Sequence, residues 1–395
     1  MEGLGQNAGF CPESMTIMPL QNEGVEKNSR EQLYQVFNWL RFPLMVLVVF
    51  VHVTGPSAVL NADLAGIGYY DLFRRALSLV LAQLAVPMFF FISGYLFLNR
   101  LQDWDWGIYS GKLKKRCKSL LVPYVVWNTI GILVVCFALY RQGAVNEIRH
   151  LLFSADSWKL YWCSRIWAGP TDWLGVTHAV TSPCLQPLWF LRDLMVVMVL
   201  SPLLWALFRY TRVWGLLLLL LGYLSQCLPV VPGITPASLF FFGAGMYMNL
   251  NNIDPSRWTW RYRYVFHAVT LLLFIVTMMC VGYDANGRPM ISMVNPFFVV
   301  FGCIATMNVA TAIVKTGHRI PELLSSSAFF IFVSHALLLE TSNQLTKFIF
   351  GSGNALMLTL RYLFTAFIAI ATCVLCYWLL RKFAPRLCGF LTGQR

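Results

Sequence analysis

The sequence predicts an all-α, polytopic membrane protein: a helical bundle of about ten transmembrane helices with both termini in the cytoplasm. Three observations carry this expectation. Of 395 residues, 58% are hydrophobic and only 12% are charged, and the mean hydropathy is +0.62; no ordinary soluble composition approaches that balance. The apolar residues fall in runs near the ~20 residues needed to cross a hydrocarbon core of about 30 Å. The basic residues gather between alternate runs, as the positive-inside rule requires.

In chain order the runs lie at about 34–56, 76–98, 120–140, 187–208, 213–229, 235–250, 264–282, 293–314, 325–345 and 357–380. The fifth and sixth are short and are split by Pro229, Pro232 and Pro236, which interrupt any continuous helix there. Cytoplasmic termini place Lys112, Lys114, Lys115, Arg116 and Lys118 inside, followed by Arg209, Arg212, Arg257, Arg261, Arg263, Lys315, Arg319, Arg381, Lys382 and Arg386. The outside receives fewer, chiefly Arg74, Arg75, Arg141, Arg149, Lys159, Arg165, Arg288 and Lys347. This division yields a cytoplasmic tail over 1–32, a single transmembrane domain over 33–386 and a short cytoplasmic tail over 387–395. The net charge of +13 is thereby assigned to membrane orientation, not to nucleic-acid binding. Residues 1–30 show no compact apolar region with a small-residue cleavage site, so the first spanning helix is expected to act as the export signal.

One long outer connection, from about 141 to 186, lacks an obvious secondary-structure pattern and carries Trp158, Trp162, Trp167 and Trp173. Tryptophans at such a position suit an interfacial belt or a sugar-stacking surface. Cys163 and Cys184 share this connection, where an oxidising compartment would permit a disulfide. The other cysteines lie mostly in apolar runs and read as small hydrophobes, including Cys373 and Cys376 despite their Cys-x-x-Cys spacing. No metal site is expected.

Ionisable residues inside spans are costly unless paired or hydrated, so each is a functional candidate. In "NWLRFPLMVLVVFVHVTGP", Arg41 and His52 are eleven residues apart. Eleven helical steps of about 100° end roughly 20° past three turns, which puts both side chains on one face, about 16 Å apart along the axis. Arg41 alone reads as a snorkelling anchor. His52, surrounded in sequence by valines and a phenylalanine, needs either a structural hydrogen-bond partner or a chemical role as a base. In "PLWFLRDL", Arg192 and Asp193 follow Trp189, and their 100° divergence predicts separate partners. In "FVSHALLLE", His335 and Glu340 are five residues apart and do not share a face, so no local dyad is expected. The cluster from Lys112 to Lys118 is an anchor on the bland reading and a polyphosphate patch on the functional one.

The Arg-x10-His pattern from Arg41 to His52, "VPMFFFISGYLF" from Val86, "KLKKRCKSLLVPYVVW" from Lys112 and "PLWFLRDL" from Pro187 together resemble the third family of integral-membrane acyltransferases. The resemblance runs over about residues 33–386. It implies a bacterial inner-membrane enzyme that takes an acyl group, usually acetyl, from cytoplasmic acyl-coenzyme A (acetyl-CoA) to a hydroxyl of a cell-surface carbohydrate or lipid-linked saccharide. It assigns catalysis to His52 and Arg41, and donor binding to Lys112, Lys115 and Arg116. The loop departs from the family's arginine-rich form, since lysines fill most positions and lack arginine's bidentate fork. Trp189, Arg192, Asp193, His335 and Glu340 are substrate-contacting or structural candidates. Attack by the acceptor directly on the thioester, with His52 as base, and transfer through an acyl-histidine both remain open. A glycan exporter with a proton path through His52, Asp193 and Glu340 is the alternative class, although no internal repeat supports it.

Overall fold

The first spanning helix sets the frame, because the long apolar run after Arg30 has no Gly and only one Pro to interrupt it. In a computed structural model, which describes residues 18–53, 68–171, 177–283, 289–290, 293–351 and 354–394 apart from 98–103, this helix, α1, spans Met18–His52. The described chain continues as α2 (Gly68–Phe97), α3 (Trp106–Arg141), α4 (Gln186–Val199), α5 (Ser201–Thr211), α6 (Val213–Ser225), α7 (Pro236–Leu250), α8 (Pro255–Cys280), α9 (Asn295–Lys315), α10 (Glu322–Phe350), α11 (Ala355–Phe383) and α12 (Pro385–Thr392).

Local chemistry explains several boundaries. Asp105 caps α3 by accepting from the Ile108 amide at 2.8 Å. Thr235 and Ser238 form a reciprocal capping box at the start of α7. Within α3 the helix widens to π geometry over Cys117–Leu121, just before Pro123, whose missing N–H leaves the ladder unable to continue with normal spacing. Between α4 and α5 the axis bends by 55°, and Pro202 at the start of α5 removes the amide that would have bridged the break.

Each of the ten apolar runs is mostly helical over its described residues. Among the described residues, seven helices are long and apolar enough to span, eight when bent α4 and α5 are taken as one. With 13 and 15 residues, α6 and α7 reach about 20–22 Å, short of the ~30 Å core. Gln226, in the left-handed region, ends α6, and Pro236 opens the first turn of α7.

Helix α1 packs against α10, α9 and α2, which bury one side of it. Helices α2 and α7 cross with their backbones in close approach. A Cβ on Gly94 would strike the Phe242 carbonyl, and one on Gly245 would strike the Phe91 carbonyl. Two glycines therefore let these backbones touch, the packing device that apolar surroundings favour.

Several basic segments that the sequence assigns to one side do gather at one end. Arg30 reaches Asn252 at 3.5 Å, and Arg381 pairs with Glu322 at 3.0 Å. The last helix, α12, docks there through Trp127 Nε1, which donates to the Leu391 carbonyl at 3.0 Å.

The connection after α3 is more ordered than the sequence pattern suggested. It holds short helices at Val145–Phe153 and Lys159–Trp162, then an antiparallel hairpin of β1 (Arg165–Thr171) and β2 (Thr177–Ser182). Trp158 is exposed; Trp173 and Arg288 lie outside the described residues, as does the side chain of Trp167. Cys163 and Cys184 are both free thiols. Burial pushes the Cys184 thiol up, away from the reactive thiolate.

Candidate functional site

The face of α1 that the eleven-residue spacing picked out opens into the bundle. Arg41 and, one turn further, Met45 line a cavity of about 550 Å³ whose mouth also carries Asn38, Arg116 and Glu322. Beyond the mouth the walls become apolar, built by Phe89 and Ile92 of α2, Phe190 and Leu194 of α4, and Phe329 and Phe332 of α10. Arg41 donates weakly to Asn38 at 3.4 Å.

A second cavity of about 480 Å³ adjoins the first. Lys112, Lys115, Arg116 and Lys118 line it together with Ser119, Gly393 and Gln394. Arg116 and Leu96 belong to both cavities, so a strongly cationic space opens beside a largely apolar one. Gly393 has a φ of +71° and an added Cβ would strike the Ser119 carbonyl, so a glycine is what lets the chain close this wall. Of the five cations in the cluster, Lys114 lines neither space.

Further along α1, His52 meets His335 of α10. Their ring centroids are 5.2 Å apart and the planes are tilted by 46°. His335 is wholly buried, and its Nδ1 lies 2.9 Å from each of the Ile331 and Phe332 carbonyls. Phe332 thus joins the apolar cavity, which its side chain lines, to the histidine pair, which its carbonyl supports.

Arg192 and Asp193 correct the sequence reading. They pair with each other: Arg192 Nε and Nη2 both lie 2.9 Å from Asp193 Oδ1. Their Cβ directions diverge, but the long arginine stem folds back across the gap, which backbone angles alone do not reveal. The guanidinium also donates to the Trp162 carbonyl at 2.6 Å and to Thr181, pinning the extramembrane connection to α4. Trp189 is half-buried against the same core. Glu340 lies exposed and accepts from Gln344 at 3.0 Å, apart from His335 as the five-residue spacing predicted. Ser334, by contrast, donates inward to Cys373 Sγ at 3.3 Å, and no cluster of metal-ligating side chains occurs among the described residues.

Several polar residues escaped the sequence reading. Ser78 donates to the Phe50 carbonyl at 2.5 Å and lies 2.6 Å from the Tyr362 hydroxyl, tying α1, α2 and α11 together two residues from His52. Asn128 donates to the Leu160 carbonyl and accepts from the Leu185 amide, both at 2.9 Å. A carboxamide in the otherwise apolar third run was the available signal. Glu322, at the cavity mouth, had none.

Residues 34–380 match the model of a family described as an acyltransferase domain, the third of its kind. The chain is 33% identical over 365 residues to the succinoglycan biosynthesis protein ExoH of Rhizobium meliloti (strain 1021), covering 91% of each chain. No solved structure matches.

Proposed function

Because the chain belongs to acyltransferase family three, we propose that this multi-pass membrane acyltransferase is an O-acetyltransferase that moves an acetyl group from cytoplasmic acetyl-CoA to a surface-carbohydrate hydroxyl. In this reading it resides in the bacterial inner membrane, and its acceptor is a polysaccharide or lipid-linked saccharide precursor. The likeness to a succinoglycan biosynthesis protein supports that acceptor class.

One observation carries the reading: the cationic and apolar cavities share Arg116, and the apolar one is lined on α1 by Asn38, Arg41 and Met45, the face that carries His52 further along, while His52 itself lines neither cavity. Coenzyme A is polyanionic at one end and bears its thioester on a long uncharged arm. Lys112, Lys115 and Arg116 suit the phosphates. The arm fits the apolar space past Arg41, which stands at the mouth as a cation on the donor side. The positive-inside bias supports a cytoplasmic location for this end.

The acceptor hydroxyl arrives from the opposite end and meets His52. A free nitrogen of His52 takes its proton as the oxygen attacks the thioester carbonyl. The new C–O bond forms, the C–S bond breaks, and the departing thiolate takes that proton from the imidazolium. The products are the O-acyl sugar and the free thiol. Such a base contributes about 10²–10⁴-fold. Trp189, Arg192 and Asp193 serve as structural polar groups that hold α4, a wall of the donor cavity. Asp193 is held by Arg192 and Glu340 is exposed, so the residues suggested for a proton path are otherwise placed.

The test is label transfer by protein reconstituted in vesicles and given radiolabelled acetyl-CoA with a surface polysaccharide. The reading expects label on the polysaccharide that is released by mild base, as for an ester. Coenzyme A binding without transfer to any hydroxyl acceptor, or no binding at all, contradicts it. Label retained on the protein before transfer selects the acyl-histidine route.

A further inference from the structure

We infer that His335 is a positioning residue for the reaction: its Nε2 accepts a hydrogen bond from one nitrogen of His52 and thereby leaves the other as the base. The inference rests on the proposed role of His52 and adds the group that makes that role work.

The tautomer of His335 follows from its surroundings. Carbonyl oxygens only accept, so an imidazole nitrogen 2.9 Å from two of them, Ile331 and Phe332, must carry the proton. In a neutral ring the remaining nitrogen, Nε2, is then a lone-pair acceptor. Protonating both nitrogens would put an uncompensated cation in the packed interior. His335 is wholly buried, yet Nε2 has no hydrogen-bond partner among the described residues. Orphaned buried acceptors are rare and call for an explanation.

His52 supplies one. Its ring lies 5.2 Å from that of His335 between centroids. The two ring radii take up much of this distance. A side-chain rotation of His52 therefore brings one of its nitrogens to hydrogen-bond length, as catalytic contacts often tighten only when substrate is bound. The partners are also unequal in access. His52 keeps some accessible surface while His335 has none, so in this proposal the acceptor hydroxyl meets the first and the second acts through it. When His52 gains the hydroxyl's proton, its other N–H bond to Nε2 becomes charge-assisted and strengthens. That is the division of labour in which a third group orients the base. A histidine that merely fills the core and bonds its own helix would leave the chemistry of His52 untouched.

The experiment compares His335→Ala, His335→Gln, His52→Ala and the double alanine variant in reconstituted protein that transfers label as wild type. Thermal stability and coenzyme A binding verify folding, and His335→Phe, which fills the volume without a nitrogen, replaces any alanine variant that does not fold. Expected is a kcat about 10–100-fold lower for His335→Ala, by analogy with the loss when the outer hydrogen-bond partner of a metal-bound histidine is removed, with KM for the donor unchanged. His335→Gln, whose amide oxygen accepts, restores part of kcat, and removing His335 from the His52→Ala variant costs nothing further. An unchanged kcat in His335→Ala, or an equal loss with and without His52, overturns the inference. Because wild type must first be active, these outcomes are distinct from failure of the acyltransfer reading itself.

Discussion

Arg192 and Asp193, consecutive on α4, close an ion pair at 2.9 Å with neither side chain reaching solvent. The partners of Arg192 on the extramembrane connection, Trp162 and Thr181, make the pair a fastener between that connection and the donor-cavity wall. Removing one charge leaves the other buried and uncompensated. Arg192→Ala or Asp193→Ala is therefore expected to destabilise by ~3–5 kcal/mol, while replacing both by leucine and methionine costs less. Thermal unfolding in detergent measures the difference; equal losses for single and double replacements would show that the pair is not the fastener.

The α2 and α7 backbones touch at Gly94 and Gly245. Gly94→Ala and Gly245→Ala are each expected to cost about 3 kcal/mol, the upper range for overpacking, because the obstacle is backbone and cannot rotate aside. The yield of monodisperse protein and its melting temperature report this. Gly111, whose added Cβ meets nothing, serves as control.

Arg116 lines both cavities and Lys114 neither. Arg116→Ala should weaken coenzyme A binding about tenfold or more, since one charge-assisted hydrogen bond contributes ~1.5–3 kcal/mol. Lys114→Ala should leave it nearly unchanged at fixed ionic strength. Calorimetric titration with coenzyme A at constant salt separates a specific site from a diffuse positive patch, which would lose equally from either substitution.

Glu340 is exposed and bonded to Gln344. Glu340→Gln is expected to keep label transfer within about twofold, as surface substitutions do. A large loss of transfer would return Glu340 to the site.

Helical periodicity made the shared face of Arg41 and His52 legible, because that relation depends on one helix alone. It also separated His335 from Glu340. The meeting of His52 with His335 was hidden, since it depends on α1 packing against α10, 283 residues apart in numbering at the histidines (335 − 52), and no local pattern encodes which helices touch. The pairing of Arg192 with Asp193 was misread for the opposite reason: side-chain reach overrode backbone direction. Ten apolar runs became ten helical regions, yet α6 and α7, on either side of Pro229 and Pro232, are shorter than the other helices. The cationic cavity was readable as a cluster, but its closure by Gly393 from the far end of the chain was not.

The role of His52 as the base for acyl transfer is tested by the transfer rate of His52→Ala at saturating acetyl-CoA and acceptor. A fall of at least ~10²-fold is expected with coenzyme A affinity unchanged, because the phosphate site lies at the other end of the path. Transfer at the wild-type rate in a folded, donor-binding His52→Ala protein would contradict it.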